Sequence, residues 1–171
     1  MTDRQPRTRQ QRRADTLAKL SVPAVDVWVA TAGADAGGHA SSYLVPLSLA
    51  WIDERVVLAT DADSVTARNI ISQRHARLGL GPTRDVVMID AELEHVYGLD
   101  DVPDGLAQRY AMQADWDPRN SGGQMRFLVL HPQRIQAWRE VNELPGRTLM
   151  RGGAWITWGG GVDYFADVSK V

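Results

Sequence analysis

The sequence contains no cysteine, which excludes disulfides and thiolate metal sites and fits a reducing compartment. It has no apolar run approaching the roughly 20 residues of a membrane-spanning helix. Its Arg-rich start meets Lys19 and Asp26 rather than an unbroken apolar core, so no signal peptide is expected. Net charge is also low: 19 Lys and Arg stand against 21 Asp and Glu, leaving -2, and no bulk attraction to nucleic acid or anionic membranes follows. The expectation is a soluble, cytoplasmic protein. The four histidines, His39, His75, His95 and His131, are scattered and form no helical His-x-x-x-His pair, so no metal site is expected. Ser41, Ser42 and Ser48 lack the glycine-flanked elbow of a hydrolase nucleophile. No acid–base pair stands out, and the catalytic residues stay unassigned.

Phenylalanine is scarce, two residues against six tryptophans. Trp51, Trp155 and Trp158 suit packing against a flat ring, and equally suit core or interface filling.

What is present fits one ordinary domain in 171 residues. Residues 1–13 carry Arg4, Arg7, Arg9, Arg12 and Arg13 among Gln and Thr, and read as a flexible basic leader. A single domain is expected over 14–171, opening on a helical stripe of Ala14, Leu17, Ala18 and Leu20 that ends before Pro23. Val25–Thr31 alternates as a strand. Tyr43–Trp51 and Val56–Thr60 read as two more, joined by a tight hairpin at Ile52-Asp53-Glu54-Arg55. Ala76–Gly81 and the long alternating run Asp85–Tyr97 follow, linked by Gly81-Pro82-Thr83-Arg84-Asp85. In the latter run Val87, Ile89, Ala91 and Leu93 share one face and Asp90, Glu92 and Glu94 the other, which reads as a solvated face because no His or Asn completes a ligand set. Pro103–Asp115 is a helix with Pro103 at its first position, and Asp115–Gly123 a polar loop. Gln124–Trp138 is one bent strand or two, since Pro132 demands a break. Gly146–Ile156 is a Gly-punctuated segment. Mainly β structure, six strands with three short helices and no repeats, favours a small closed barrel over a parallel sheet.

The chain is organised around Gly38–Gly81. Thr60-Asp61-Ala62-Asp63-Ser64 caps a short amphipathic helix carrying Val65, Ala67, Ile70 and Ile71. A strand that ends in hydroxyls and feeds a helix N-terminus offers backbone N–H donors to an anion, and Arg68 adds a planar cation suited to phosphate. The same residues also serve as an ordinary cap, and Asp61 and Asp63 repel an anion.

This stretch, with Val45-Pro46-Leu47 on one strand, the polar hairpin, and Ser64-Val65-Thr66-Ala67-Arg68-Asn69-Ile70 after the next, resembles the FMN-binding split barrels. That superfamily includes the pyridoxamine 5'-phosphate oxidase-like proteins and the flavin/deazaflavin oxidoreductases, and the resemblance spans roughly Leu17–Ile156. It implies a mainly β fold with short helices, a six- to seven-stranded antiparallel split β-barrel. It also implies a flavin phosphate at Thr60, Ser64, Thr66, Arg68 and Asn69, with the ring against Tyr43, Val45, Pro46, Leu47 and Ser48 and with Trp155 near it. It departs from the oxidases where Ser64-Val65-Thr66 replaces their Ser-Arg-Lys, and where Ser42, Tyr43 and Leu44 supply no arginine at the start of the second strand. The expected function is an FMN-binding oxidoreductase exchanging hydride with an unknown small substrate. Coenzyme F420 is the alternative cofactor, and a flavin or haem carrier without turnover the alternative role. Family members are homodimers, so Ser121–Gln124 and Arg151–Trp155 would complete a partner's pocket.

Overall fold

Apolar residues two apart along six successive strands supply an inward-facing set of side chains, and those sets meet in one core. A computed structural model describes residues 5–34 and 37–157; Trp158 and residues 1–4 of the expected leader lie outside them. The strands are β1 (Asp26–Ala34), β2 (Ala40–Ile52), β3 (Arg55–Asp61), β4 (His75–Leu80), β5 (Val86–Gly98), β6 (Met125–Trp138), β7 (Thr148–Arg151) and β8 (Ala154–Trp155). They pair in the order β3-β2-β1-β4-β5-β6, and β3 closes on β6. Every pairing is antiparallel. The result is the expected closed barrel of six strands, with the β7–β8 hairpin added beside β6. Val27, Val29, Leu49, Val56, Leu58, Leu78, Ile89, Leu128 and Leu130 fill its interior.

Among the described residues three α-helices attach to this barrel: α1 (Arg9–Leu20), α2 (Val65–Gln73) and α3 (Asp104–Ala114). The basic stretch is helical from Arg9, where the sequence reading placed a leader as far as residue 13. Thr8 and Gln11 form a capping box that starts the helix there. α1 ends with Leu20 wholly buried in the barrel core. α3 covers the outside of β2, β3 and β6, burying Ala107, Tyr110 and Ala114 against Ala50, Val57, Ala59 and Phe127. Tyr110 meets Phe127 edge to face at 5.4 Å. Pro103 sits one position earlier than expected, as the N-cap residue rather than the first helical one.

Two local expectations are met by local chemistry. Ile52 pairs with Arg55 across a two-residue turn in which Asp53 and Glu54 both have positive φ, the twist that a tight hairpin needs. Pro132 lies beside a register shift between β5 and β6, so β6 is one strand bent at a bulge.

The feature that positions the site is a divergence. β2 pairs with β1 from Ala40 to Ser48, but with β3 only from Leu49 to Ile52. β3 continues instead along β6 as far as Asp61. Above Leu49 the barrel wall is therefore split between β2 and β3.

Candidate functional site

The split leaves one edge of β2 without a strand partner. Leu49 N–H donates to Val25 C=O at 2.9 Å and Trp51 N–H to Gln113 Oε1 at 2.8 Å. Odd-numbered residues of β2 thus address β1, and even-numbered ones address the opposite side. Leu44, Pro46 and Ser48 aim their peptide groups at the gap that β3 has left. Pro46 falls on that free side, where a missing N–H costs no ladder bond. The Ser48 carbonyl is taken by Tyr110, whose hydroxyl donates to it at 3.3 Å. Burial pushes the Tyr110 hydroxyl well above the usual tyrosine range, so it stays a donor.

At the far end of β3 the chain turns into α2. Ser64 Oγ accepts from Ala67 N–H at 3.0 Å and from Thr60 Oγ1 at 3.2 Å, which fixes strand end and helix start together. Arg68 curls back so that its guanidinium donates to the Asp63 carbonyl. No carboxylate lies within ion-pair distance of Arg68 among the described residues. Asn69 Nδ2 donates to Thr31 Oγ1 at 3.1 Å, laying α2 across β1. A Cβ on Gly33 would stand 2.3 Å from Asn69 Oδ1, so that close approach requires glycine. Thr66 is buried under the helix.

Strand alternation divides the expected ring-facing residues. Tyr43 lies opposite Thr31, Val45 opposite Val29 and Leu47 opposite Val27, so these three face the same side as Asn69. Leu44, Pro46 and Ser48 face the other way; Ser48 Oγ donates to Asp26 Oδ1 at 2.9 Å. Trp155 is not brought to this corner. Its indole N–H donates to Glu54 Oε1 at 2.9 Å and Arg13 stacks 4.6 Å above its ring, at the opposite end of β3 from Thr60. Ser121–Gln124 does approach: Gln124 C=O accepts from Ala62 N–H at 2.8 Å.

One residue here was missed by sequence reasoning. Arg126 on β6 lies directly opposite Thr60 on one side and Gly98 on the other. Its guanidinium reaches over Gly98, whose absent Cβ would meet Nη1 at 3.0 Å. Among the described residues its one hydrogen bond goes to the Met125 carbonyl at 3.5 Å. With Val96, Leu99, Asp100 and Asp101 it lines a depression of about 410 Å³. Arg126 shares the register of the inward-facing Leu128 and Leu130, and a lone cation in that register was the available signal. Asp90, Glu92 and Glu94 do not gather a metal: Asp90 pairs with Arg77 and Arg134, and Glu94 with Arg55. No His, Asp or Glu triad able to hold an ion occurs among the described residues.

The fold recurs in solved structures. An F420 reductase superposes with a TM-score of 0.53 at 15% identity, covering 69% of this chain and 93% of its own. A Listeria innocua protein classed as a pyridoxamine 5'-phosphate oxidase gives 0.53 at 11% identity, covering 75% and 97%. The chain folds as a split barrel. A haem-binding protein of Mycobacterium smegmatis has the same architecture, with a TM-score of 0.58 at 16% identity, 86% of this chain and 59% of that one being covered. No family model and no curated protein matches the sequence. No helix among the described residues is long and apolar enough to cross a membrane.

Proposed function

We propose that this split barrel binds a flavin-type cofactor, FMN in the first reading, and works as an oxidoreductase on a small substrate. The observation that carries the proposal is the coincidence of two features at one corner. A strand edge on which the Leu44 peptide groups, the Pro46 carbonyl and the Ser48 N–H have no strand partner adjoins a helix start furnished with Thr60 and Ser64 hydroxyls and an Arg68 that no carboxylate answers among the described residues. The first offers the Leu44 and Ser48 N–H donors and the Leu44 and Pro46 carbonyls to the rim of a flat heterocycle. The second suits a phosphate tail. Tyr43, Val45 and Leu47 form the apolar wall beside them, and Thr66 and Asn69 hold α2 in place.

The bound cofactor supplies the hydride chemistry; the chain orients it and needs no nucleophile of its own, which agrees with the lack of one in the sequence. F420 fits the same donors, and the fold shared with an F420 reductase favours testing it alongside FMN. The likeness to a haem-binding protein favours one further reading, a carrier without turnover. A homodimer belongs to the proposal as well. Trp28, Leu44 and Pro46 are exposed together on the outer face of β1 and β2, a face that a second copy would cover; sedimentation as a monomer at micromolar concentration would remove that part.

The test is the absorption spectrum of the purified protein, followed by titration with FMN, F420, riboflavin and haem. Arg68→Ala should weaken FMN binding ten- to a hundredfold, about 1.5–3 kcal/mol, and leave riboflavin, which lacks the phosphate, unchanged. Equal FMN affinity in both proteins would take Arg68 out of the site.

A further inference from the structure

The other end of the barrel holds cations that its carboxylates do not answer. Arg7, Lys19 and Arg139 engage Asp15, Asp85 and Glu143. Arg9 and Arg12, on the adjoining turn of α1, have no carboxylate within ion-pair distance among the described residues. Arg12 is only 6% exposed. Its Nη1 donates to the Glu143 carbonyl at 2.9 Å, yet its Nε is buried with no hydrogen-bond partner, and so is the Nε of Arg9. An unanswered buried donor is costly, and here the charges compound the cost. Burial, together with repulsion from Arg7 and Arg9, lowers the Arg12 pKa, with Glu143 opposing.

Both guanidinium groups converge on one niche. Gly146, in the turn before β7, is exposed and has φ +67°, and the position its Cβ would fill lies 3.5 Å from Arg12 Nη2 and 3.7 Å from Arg9 Nη2. A side chain there would fill the space between the two forks. Glycine leaves it open to solvent, flanked by two planar donors at near-contact distance.

We propose that Arg9, Arg12 and Gly146 form a binding site for a phosphate-class oxyanion, separate from the α2 corner. Two guanidinium groups facing one opening match the several acceptor oxygens of a tetrahedral dianion, and such charge-assisted bonds are the strong ones. The bound anion joins α1 to the turn that leads into β7, so occupancy stabilises the docking of the basic N-terminal helix. The site is independent of the cofactor reading and stands or falls without it.

The test is thermal unfolding of the full-length protein in sodium phosphate against sodium chloride at equal ionic strength. It is run in an Arg68→Ala background, so that the α2 corner contributes nothing. A dissociation constant near 1 mM would raise the midpoint by roughly 5 °C in about 50 mM phosphate. Arg9→Gln should abolish that increment. Gly146→Ala, which puts a methyl group into the niche, should abolish it too. Arg12 is too deeply buried for a clean variant, and the readout is the phosphate increment rather than the absolute midpoint, so general destabilisation does not mimic the result. No phosphate increment over chloride, or an equal one in Arg9→Gln, would overturn the proposal.

Discussion

Arg7 and Arg68 lie at opposite ends of the same barrel and are answered in opposite ways. Arg7 reaches Glu143 at 2.7 Å, Asp15 at 2.8 Å and Asp85 at 3.4 Å, and Asp85 also holds Lys19 at 2.7 Å. Among the described residues Arg68 donates only to the carbonyl of Asp63, and nearby Arg126 only to that of Met125 at 3.5 Å. A cation ringed by carboxylates has its field closed locally and holds elements together. One that meets a single neutral acceptor keeps most of its attraction for an incoming anion. Burial separates the two ends as clearly as pairing does: Arg7 and Glu143 side chains are 9% and 3% exposed, whereas Arg68 is open to solvent. The Arg7–Glu143 cluster is built to stay shut, and Arg68 is left with charge to offer.

The hardest test of that contrast is Glu143→Gln. Burial alone would push the Glu143 carboxyl up, but hydrogen bonds from the Arg7 side chain and from the backbone N–H groups of Arg7 and Arg139 outweigh it and bring it down to about 2. A carboxylate depressed from 4.5 stabilises the fold fully above pH 4.5 and loses that contribution as pH falls through about 2. The variant leaves Arg7 partly unanswered in a buried place and should cost about 3 kcal/mol at pH 7, read by urea denaturation. The difference from the parent should narrow below pH 4.5 and close near pH 2. A loss under about 1 kcal/mol, the range of exposed pairs, would mean that the α1 end is not held by charge.

A smaller effect should come from Tyr110→Phe, at the point where β2 parts from β3. The change keeps the ring among Phe127 and Trp116 and removes only the hydroxyl that donates to Ser48 C=O at 3.3 Å. The expected loss is about 1 kcal/mol. Hydrogen exchange should quicken at α3 and around Ser48 and remain unchanged at α1. Faster exchange at α1 would mean that the two ends are not independent.

The sequence showed what short-range chemistry decides. Val87-x-Ile89-x-Ala91-x-Leu93 alternates because one face is buried, so β5 could be read directly. Ser64 stands where a helix needs a cap, and Pro132 where a strand must bend. The divergence of β2 from β3 was legible only through resemblance, because between Tyr43 and Ser48 only Pro46, with no N–H to give, hints at which backbone edge goes unpaired. The partnerships across the barrel were not legible at all. Arg7 looks solvated among its neighbours, and its carboxylate lies 136 positions away. Arg126 reads as one more surface arginine until the register sets it beside Thr60 and Gly98. The cost or benefit of each charge is decided by strands brought together from distant parts of the chain, and local pattern does not carry that information.

The smallest expected effect is the sharpest control, because it holds geometry constant. Arg84 Nη2 lies 2.7 Å from Glu140 Oε1, the same distance as Arg7 Nη2 from Glu143 Oε2. The side chains of the first pair are 79% and 52% exposed. Water and salt screen such a pair, and ordering two long side chains offsets much of the remaining attraction, so Arg84→Ala should cost no more than about 0.5 kcal/mol. That loss should also vanish in high salt, while the loss in Glu143→Gln persists. Two ion pairs of equal length with a severalfold difference in effect would assign the stability of the α1 end to burial rather than to contact distance. Equal losses would assign it to distance, and the unanswered arginines at the α2 end would then have to be explained without appeal to their exposure.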